Sequence, residues 1–181
     1  MTRLLLPFTQ RVDVCAIDAA LLLAQQYDAT LVAFSLIHSS GMQNMQGVQQ
    51  EHLQQSRDFL DVVQQKAIQM EVPVARVELS TQDTVQSIHV FARELKCAGI
   101  LLFLREEAGV LLATSEVKQI LEQESVPLYL RRLPTKDNMF SRPRWGLRWF
   151  QRQRGCQGEL IKIHNVSAEA ISRQRGVHTS R

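Results

Sequence analysis

Glycine is scarce in this chain, and its placement excludes a good deal. Only eight glycines are spread over 181 residues, and they form no pattern usable as a phosphate-binding loop. Cysteine is rarer still. Cys15, Cys97 and Cys156 are far apart, with no CxxC pair and no His–Cys cluster at zinc spacing. They read as buried reduced thiols, in preference to redox or structural-metal roles. No apolar run approaches the ~20 residues of a membrane span. The stretch from Met1 to Pro7 is too short in apolar residues for a signal peptide, so a cytoplasmic protein is expected. No Ser-His-Asp order and no nucleophile-elbow motif is present, and Ser39-Ser40-Gly41 beside His38 reads as coincidence. His52 and His89 fall in helical segments with no partner four residues away, which argues against a metal site. There is no internal repeat. The expectation is a protein that is not an enzyme and carries no cofactor.

Apolar residues make up 45% of the chain, enough to bury a sizeable core. The net charge of +3 hides a strong asymmetry. Residues 1–131 carry 10 Lys+Arg against 15 Asp+Glu, a net −5, whereas residues 132–181 carry 11 against 3, a net +8. An acidic folded domain over 1–133 followed by a basic, largely disordered tail over 134–181 is the natural reading. Within that tail Arg142, Arg144, Arg148, Arg152 and Arg154 alternate with Trp145, Trp149 and Phe150. Such a composition suits an anionic partner, either a membrane surface or a nucleic acid. It equally suits a sticky extension that contacts its own acidic domain. Pro143 and Gly146 weaken a helix here, although a short one around Trp145–Arg154 is conceivable on pattern.

The order of elements is legible before the tail. Leu4-Leu5-Leu6-Pro7-Phe8 is a short apolar strand, and Asp13 caps a helix whose Val14, Ile17, Leu21 and Ala24 share a face. Thr30 to Ile37 is a second apolar strand. A polar loop from Ser39 to Gln46 precedes a helix from Val48 to Met70, ended by Pro73. Val74 to Leu79 alternates as a strand with one more polar face, and Thr81 or Asp83 caps a helix bearing Ile88, Phe91, Ala92 and Leu95. Gly99 to Leu104 is another apolar strand, followed by a charged loop, a helix from Ser115 to Glu124 and a last strand Val126–Leu130. The fold class is therefore α/β: an open, doubly wound, five-stranded parallel sheet with a Rossmann-like order. Strands apolar throughout belong in a sheet covered by helices on both faces.

Over residues 3–131 this order resembles a universal stress protein domain. The resemblance rests on Arg3-Leu4-Leu5-Leu6-Pro7-Phe8, on Ala19-Ala20-Leu21-Leu22-Leu23-Ala24 with Leu31 to His38, on Ala98-Gly99-Ile100-Leu101-Leu102-Phe103, and on Ile120-Leu121 running to Val126-Pro127-Leu128-Tyr129-Leu130. It implies the sheet of the adenine nucleotide alpha hydrolase-like proteins. Members that bind ATP share a loop G-x2-G-x9-G-[ST] after the fourth strand, because backbone N–H groups wrap a phosphate closely only where side chains are absent. Here Leu104 and Glu107 stand at the first two glycine positions, and Thr114-Ser115 matches the final pair at a shorter spacing. Thr9 stands where ATP-binding members carry an acidic residue.

The resemblance thus implies a regulatory or interaction module that does not bind ATP in the usual way, with a small-molecule ligand doubtful. If a nucleotide binds, the pocket is expected from Pro7, Thr9, Ala33 and Ser115. His38, ending the second strand, lies at the sheet edge where ligands sit in such folds, although a partly exposed structural histidine is the simpler reading. The family's final strand commonly pairs across a dimer axis, so a homodimer through Val126–Leu130 is expected, with Pro127 withholding one donor. Alternatives are a nucleotide-binding stress protein with an altered pocket, and a tail-directed membrane or nucleic-acid adaptor.

Overall fold

A computed structural model describes residues 2–39, 46–123, 126–135 and 160–163. The proposed role of the basic stretch, and a helix around Trp145–Arg154, lie outside the described residues. The elements run β1 (Thr2–Phe8), α1 (Val14–Gln26), β2 (Ala29–His38), α2 (Gln46–Met70), β3 (Val74–Thr81), α3 (Thr84–Glu94), β4 (Gly99–Arg105), β5 (Ala108–Val110), α4 (Thr114–Glu122), β6 (Leu128–Leu133) and β7 (Leu160–Ile163). Five strands form a parallel sheet in the order β3-β2-β1-β4-β6, as the apolar runs predict. Two antiparallel strands extend it: β5 pairs with β4, and β7 pairs with the far side of β6.

Alternation along the strands sorts the core into two layers. Leu4, Leu6 and Phe8 of β1 face a cluster with Ile17 and Leu21 of α1 and Phe59 and Val63 of α2. Leu5 of β1, Phe34 of β2 and Ile100 of β4 face the opposite cluster, with Ile88 of α3 and Ile120 of α4. Helices α1 and α2 thus cover one face and α3 and α4 the other, which is the doubly wound arrangement. Each layer carries a stacked ring pair, Phe8–Phe59 at 4.2 Å and Phe34–Phe91 at 4.3 Å between centroids. Full burial of a ring such as Phe34 contributes about 2 kcal/mol. Asp13 and Asp83 cap α1 and α3 as their positions suggest, each accepting from a backbone N–H three residues on.

Two expectations need correction. The charged loop after β4 is a tight β-hairpin: Arg105 pairs with Ala108, and Glu106 turns the chain at φ 59°. The last parallel strand starts later than expected, at Leu128, leaving Pro127 before it, where its carbonyl accepts from the Ile100 N–H. Within the stretch expected to be a largely disordered tail, Leu160-Ile161-Lys162-Ile163 forms strand β7. Too short to register as a strand on its own pattern, it takes its ladder partners from β6.

Candidate functional site

Pro7 shapes the middle of the sheet. The Arg3 carbonyl accepts from the Ala98 N–H, so the alternate residues Leu5, Pro7 and Thr9 also direct their backbone groups toward β4. Pro7 has no N–H to give there. Accordingly β1 pairs with β4 only at Leu4↔Gly99 and Leu5↔Ile100, whereas its ladder with β2 runs on to Phe8↔Ser35. The two central strands part at their carboxyl ends, at the point where strand order reverses, which is where open α/β sheets bind ligands.

In this chain that split is closed from within. The N–H groups of Thr9 and Gln10 both donate to the Leu111 carbonyl, at 2.9 and 3.2 Å. Leu111 is buried and holds φ at 73°, a left-handed conformation a branched side chain rarely adopts. The hairpin before it sets this up. The Gly109 N–H donates to the Thr114 hydroxyl at 3.0 Å, and a Cβ at Gly109 would lie 2.5 Å from the Leu112 carbonyl oxygen. Gly109 is therefore needed for close approach, not for a turn.

The start of α4 is closed in the same way. Glu116, in the first turn, reaches back so that its Oε2 accepts from the Ala113 N–H at 2.8 Å and from the Thr9 hydroxyl at 2.6 Å. Ala113, at the cap position, has no side-chain acceptor, so Glu116 supplies the anionic group that a helix N-terminus favours. Arg105, the cation nearest the Glu106-Glu107 turn in sequence, is engaged elsewhere. Its Nη1 lies 2.6 Å from Asp13 Oδ2, and its Nε donates to the Pro134 carbonyl at 3.1 Å.

Beside this closed seam lies a cavity of about 550 Å³. Thr9, Gln10 and Arg11 line it from the loop after β1, Leu36 and His38 from β2, His52 and Gln55 from α2, Thr84 from α3, and Ala113 and Glu116 from α4. Of the four residues expected to hold a nucleotide, Thr9 lines the cavity. Pro7 and Ala33 are buried in β1 and β2, and Ser115 is exposed on the first turn of α4. The structure brings together His38 and His52, which as separate sequence features had no partner. Gln55, Thr84 and Glu116 carried no signal of their own; only the helix starts, once fixed, place the last two at the sheet's carboxyl edge. No group of three or more His, Cys, Asp or Glu among the described residues is arranged to hold a metal ion. His89 is elsewhere, buried in α3, where desolvation and then the nearby Arg93 charge push its pKa below 6.5.

No protein-family model matches the chain, and no curated protein matches it in sequence. Solved structures do. A universal stress protein family member from Burkholderia pseudomallei superposes with a TM-score of 0.57 at 19% identity, over 71% of this chain and 94% of the other. A universal stress protein from Archaeoglobus fulgidus gives 0.56 at 12% identity, over 72% and 98%. The chain has the universal stress protein fold. A further Archaeoglobus fulgidus universal stress protein, solved in complex with dAMP, superposes with a TM-score of 0.53 at 9% identity, over 72% of this chain and 97% of that one. Shared architecture at such low identity extends to the strands and helices, and the universal-stress-protein-like sheet here ends in the closed seam just described.

Proposed function

We propose that this chain is a non-enzymatic regulatory or interaction module built on the universal stress protein fold, and that it does not take up ATP through a phosphate cradle. The observation that carries this reading is the internal use of the donors at the switch point. The N–H groups of Thr9 and Gln10 are engaged by Leu111, and the Ala113 N–H and Thr9 hydroxyl by Glu116. A triphosphate would have to displace a carboxylate and a buried carbonyl before gaining a single one of these bonds. The displaced carboxylate would remain nearby, and like charges ~5 Å apart repel by about 1 kcal/mol even at water-like dielectric. Titration calorimetry on the full chain is expected to give no saturable heat with ATP up to about 1 mM. Saturable ATP binding at micromolar concentration would contradict the reading.

A second reading is favoured by the cavity itself, whose volume falls in the range of small-ligand sites. Here the chain is a nucleotide-binding stress protein with an altered pocket, in which His38, His52, Gln55 and Thr84 meet the base and sugar while the phosphates stay in solvent. The same titration separates the two. Equal affinity for adenosine and AMP supports the altered pocket, and no binding of either supports the interaction module. The homodimer expected through the last strand is also a proposal, and it must contend with β7, which pairs along the free side of β6.

A further inference from the structure

Strand β3 ends the sheet on the side away from β6, and its outer edge is open. It pairs with β2 over eight consecutive residues, Val74 to Thr81, without a bulge. Among the described residues no strand lies along its other side. A row of open N–H and C=O groups is a template for another strand, and folded proteins usually blunt it with proline, lysine, a bulge or shortness. Val74–Thr81 contains neither proline nor lysine, and it is long for an edge. Helix α2 packs more over β2 than over β3, so it does not hood the edge.

The ladder on the inner side fixes which groups are open. The Leu31 N–H donates to the Pro73 carbonyl and the Ser39 N–H to the Thr81 carbonyl, both at 2.9 Å. Odd-numbered residues of β3 therefore turn their backbone groups toward β2, and Val74, Arg76, Glu78 and Ser80 turn theirs outward. The side chains of Arg76 and Glu78 share the α2 face. Glu78 accepts from Ser56, while Arg76 meets Asp61 at 3.4 Å with both side chains largely in solvent. So loose a surface pair leaves Arg76 available to a carboxylate from outside.

This edge is complementary to itself. Two copies related by a two-fold axis pair antiparallel, and since opposite residues must share a face, one residue lies opposite its own copy. Centred on Val77, the pairing sets Arg76 opposite Glu78 and Val74 opposite Ser80, each twice. All four outward residues then sit in hydrogen-bonded pairs, and each charge meets its opposite. On the other face Leu79, 38% exposed, lies against Ala75 of the second copy. The neighbouring registers are worse. Centring on Arg76 or Glu78 sets like charges face to face, and centring on Ala75 or Leu79 leaves fewer outward residues paired. We propose that β3 is a docking edge for a second copy of this chain, the two sheets joining antiparallel about Val77.

The test is light scattering on the full chain and on two charge reversals. The unaltered chain should pass from monomer to dimer between about 1 and about 100 µM. Glu78→Arg and Arg76→Glu each set like charges opposite one another twice, and each should weaken self-association by about tenfold or more. Mixed in equal amounts, the two variants should dimerise with each other as the parent does with itself, because each supplies the charges the other lacks. An unaltered chain that stays monomeric, single variants that associate as the parent does, or a mixture no better than its components overturns the proposal. The second of these is what a dimer through the last strand would give. Should a reversal fail to fold, Val77→Cys, made with Cys15→Ser and Cys156→Ser, decides alone. The central pair of such a ladder lies about 4.5 Å apart between Cα atoms, within disulfide reach. Oxidation should link two chains through Val77→Cys and not through Ala75→Cys, which faces Leu79; no link at the first, or equal linking at both, overturns it.

Discussion

Thr9 and Glu116 are 107 residues apart and meet at 2.6 Å, joining the end of β1 to the start of α4. Glu116→Ala removes both this bond and the acceptor for the Ala113 N–H, and is expected to cost about 1–2 kcal/mol by urea unfolding. Thr9→Asp is more telling. It supplies the acid that the resemblance associates with ATP-binding members, yet sets it at hydrogen-bond distance from an existing carboxylate. The variant should be less stable than its parent at pH 7, with the deficit shrinking at about pH 4 as protonation relieves the repulsion. A Thr9→Asp chain as stable as the original at both values would mean that the two side chains do not meet. His89 predicts a second pH effect, of known sign. Its folded pKa lies below the 6.5 of the free side chain, so on acidification the unfolded chain binds the proton first. Stability present above about pH 6.5 is therefore lost as the pH falls below it. The decline in Tm between about pH 7.5 and pH 5 should be shallower in His89→Gln, and an unchanged slope would remove His89 from the account.

At the scale of elements, the hairpin of β4 and β5 takes the place of a glycine-rich loop. Its tightness depends on Gly109, whose N–H bonds Thr114 while its missing Cβ lets the Leu112 carbonyl approach. Gly109→Ala should destabilise by about 2 kcal/mol in urea unfolding, since backbone, not a flexible side-chain end, must give way. A cost near zero would show that the loop is not held closed. This is also the scale at which sequence reasoning succeeds best. The apolar runs Leu4–Phe8, Leu31–Ile37 and Gly99–Phe103 mark buried parallel strands because nothing else accommodates them, and Asp13 and Asp83 mark helix starts because short acceptors satisfy free N–H groups. It fails where an element exists only through its partner. The turn at Glu106-Glu107 reads as a solvated loop until Val110 is seen opposite Phe103, and Ala113 carries no capping signal until Glu116 is seen to supply one.

Over the whole molecule, the sheet brings four helix and loop ends to one edge, and the chain's own groups fill that edge. Pro7 parts β1 from β4, Leu111 bridges the gap, Glu116 seals the helix, and a cavity remains to one side. The candidate site was legible only in part for this reason: Thr9 is identifiable from its place after Pro7, whereas Arg11, His52 and Gln55 join the cavity through packing across the fold. The other edge of the β1–β4–β6 half carries β7, a four-residue strand whose partner is about thirty residues earlier in the chain, beyond the reach of local pattern. The central claim is that the amides at the switch point are already satisfied. It is tested most directly by following the Thr9, Gln10 and Ala113 backbone amide resonances of the full chain by NMR while ATP is added to about 5 mM. The account predicts that these three signals do not shift in a saturable manner; a saturable shift of all three would contradict it.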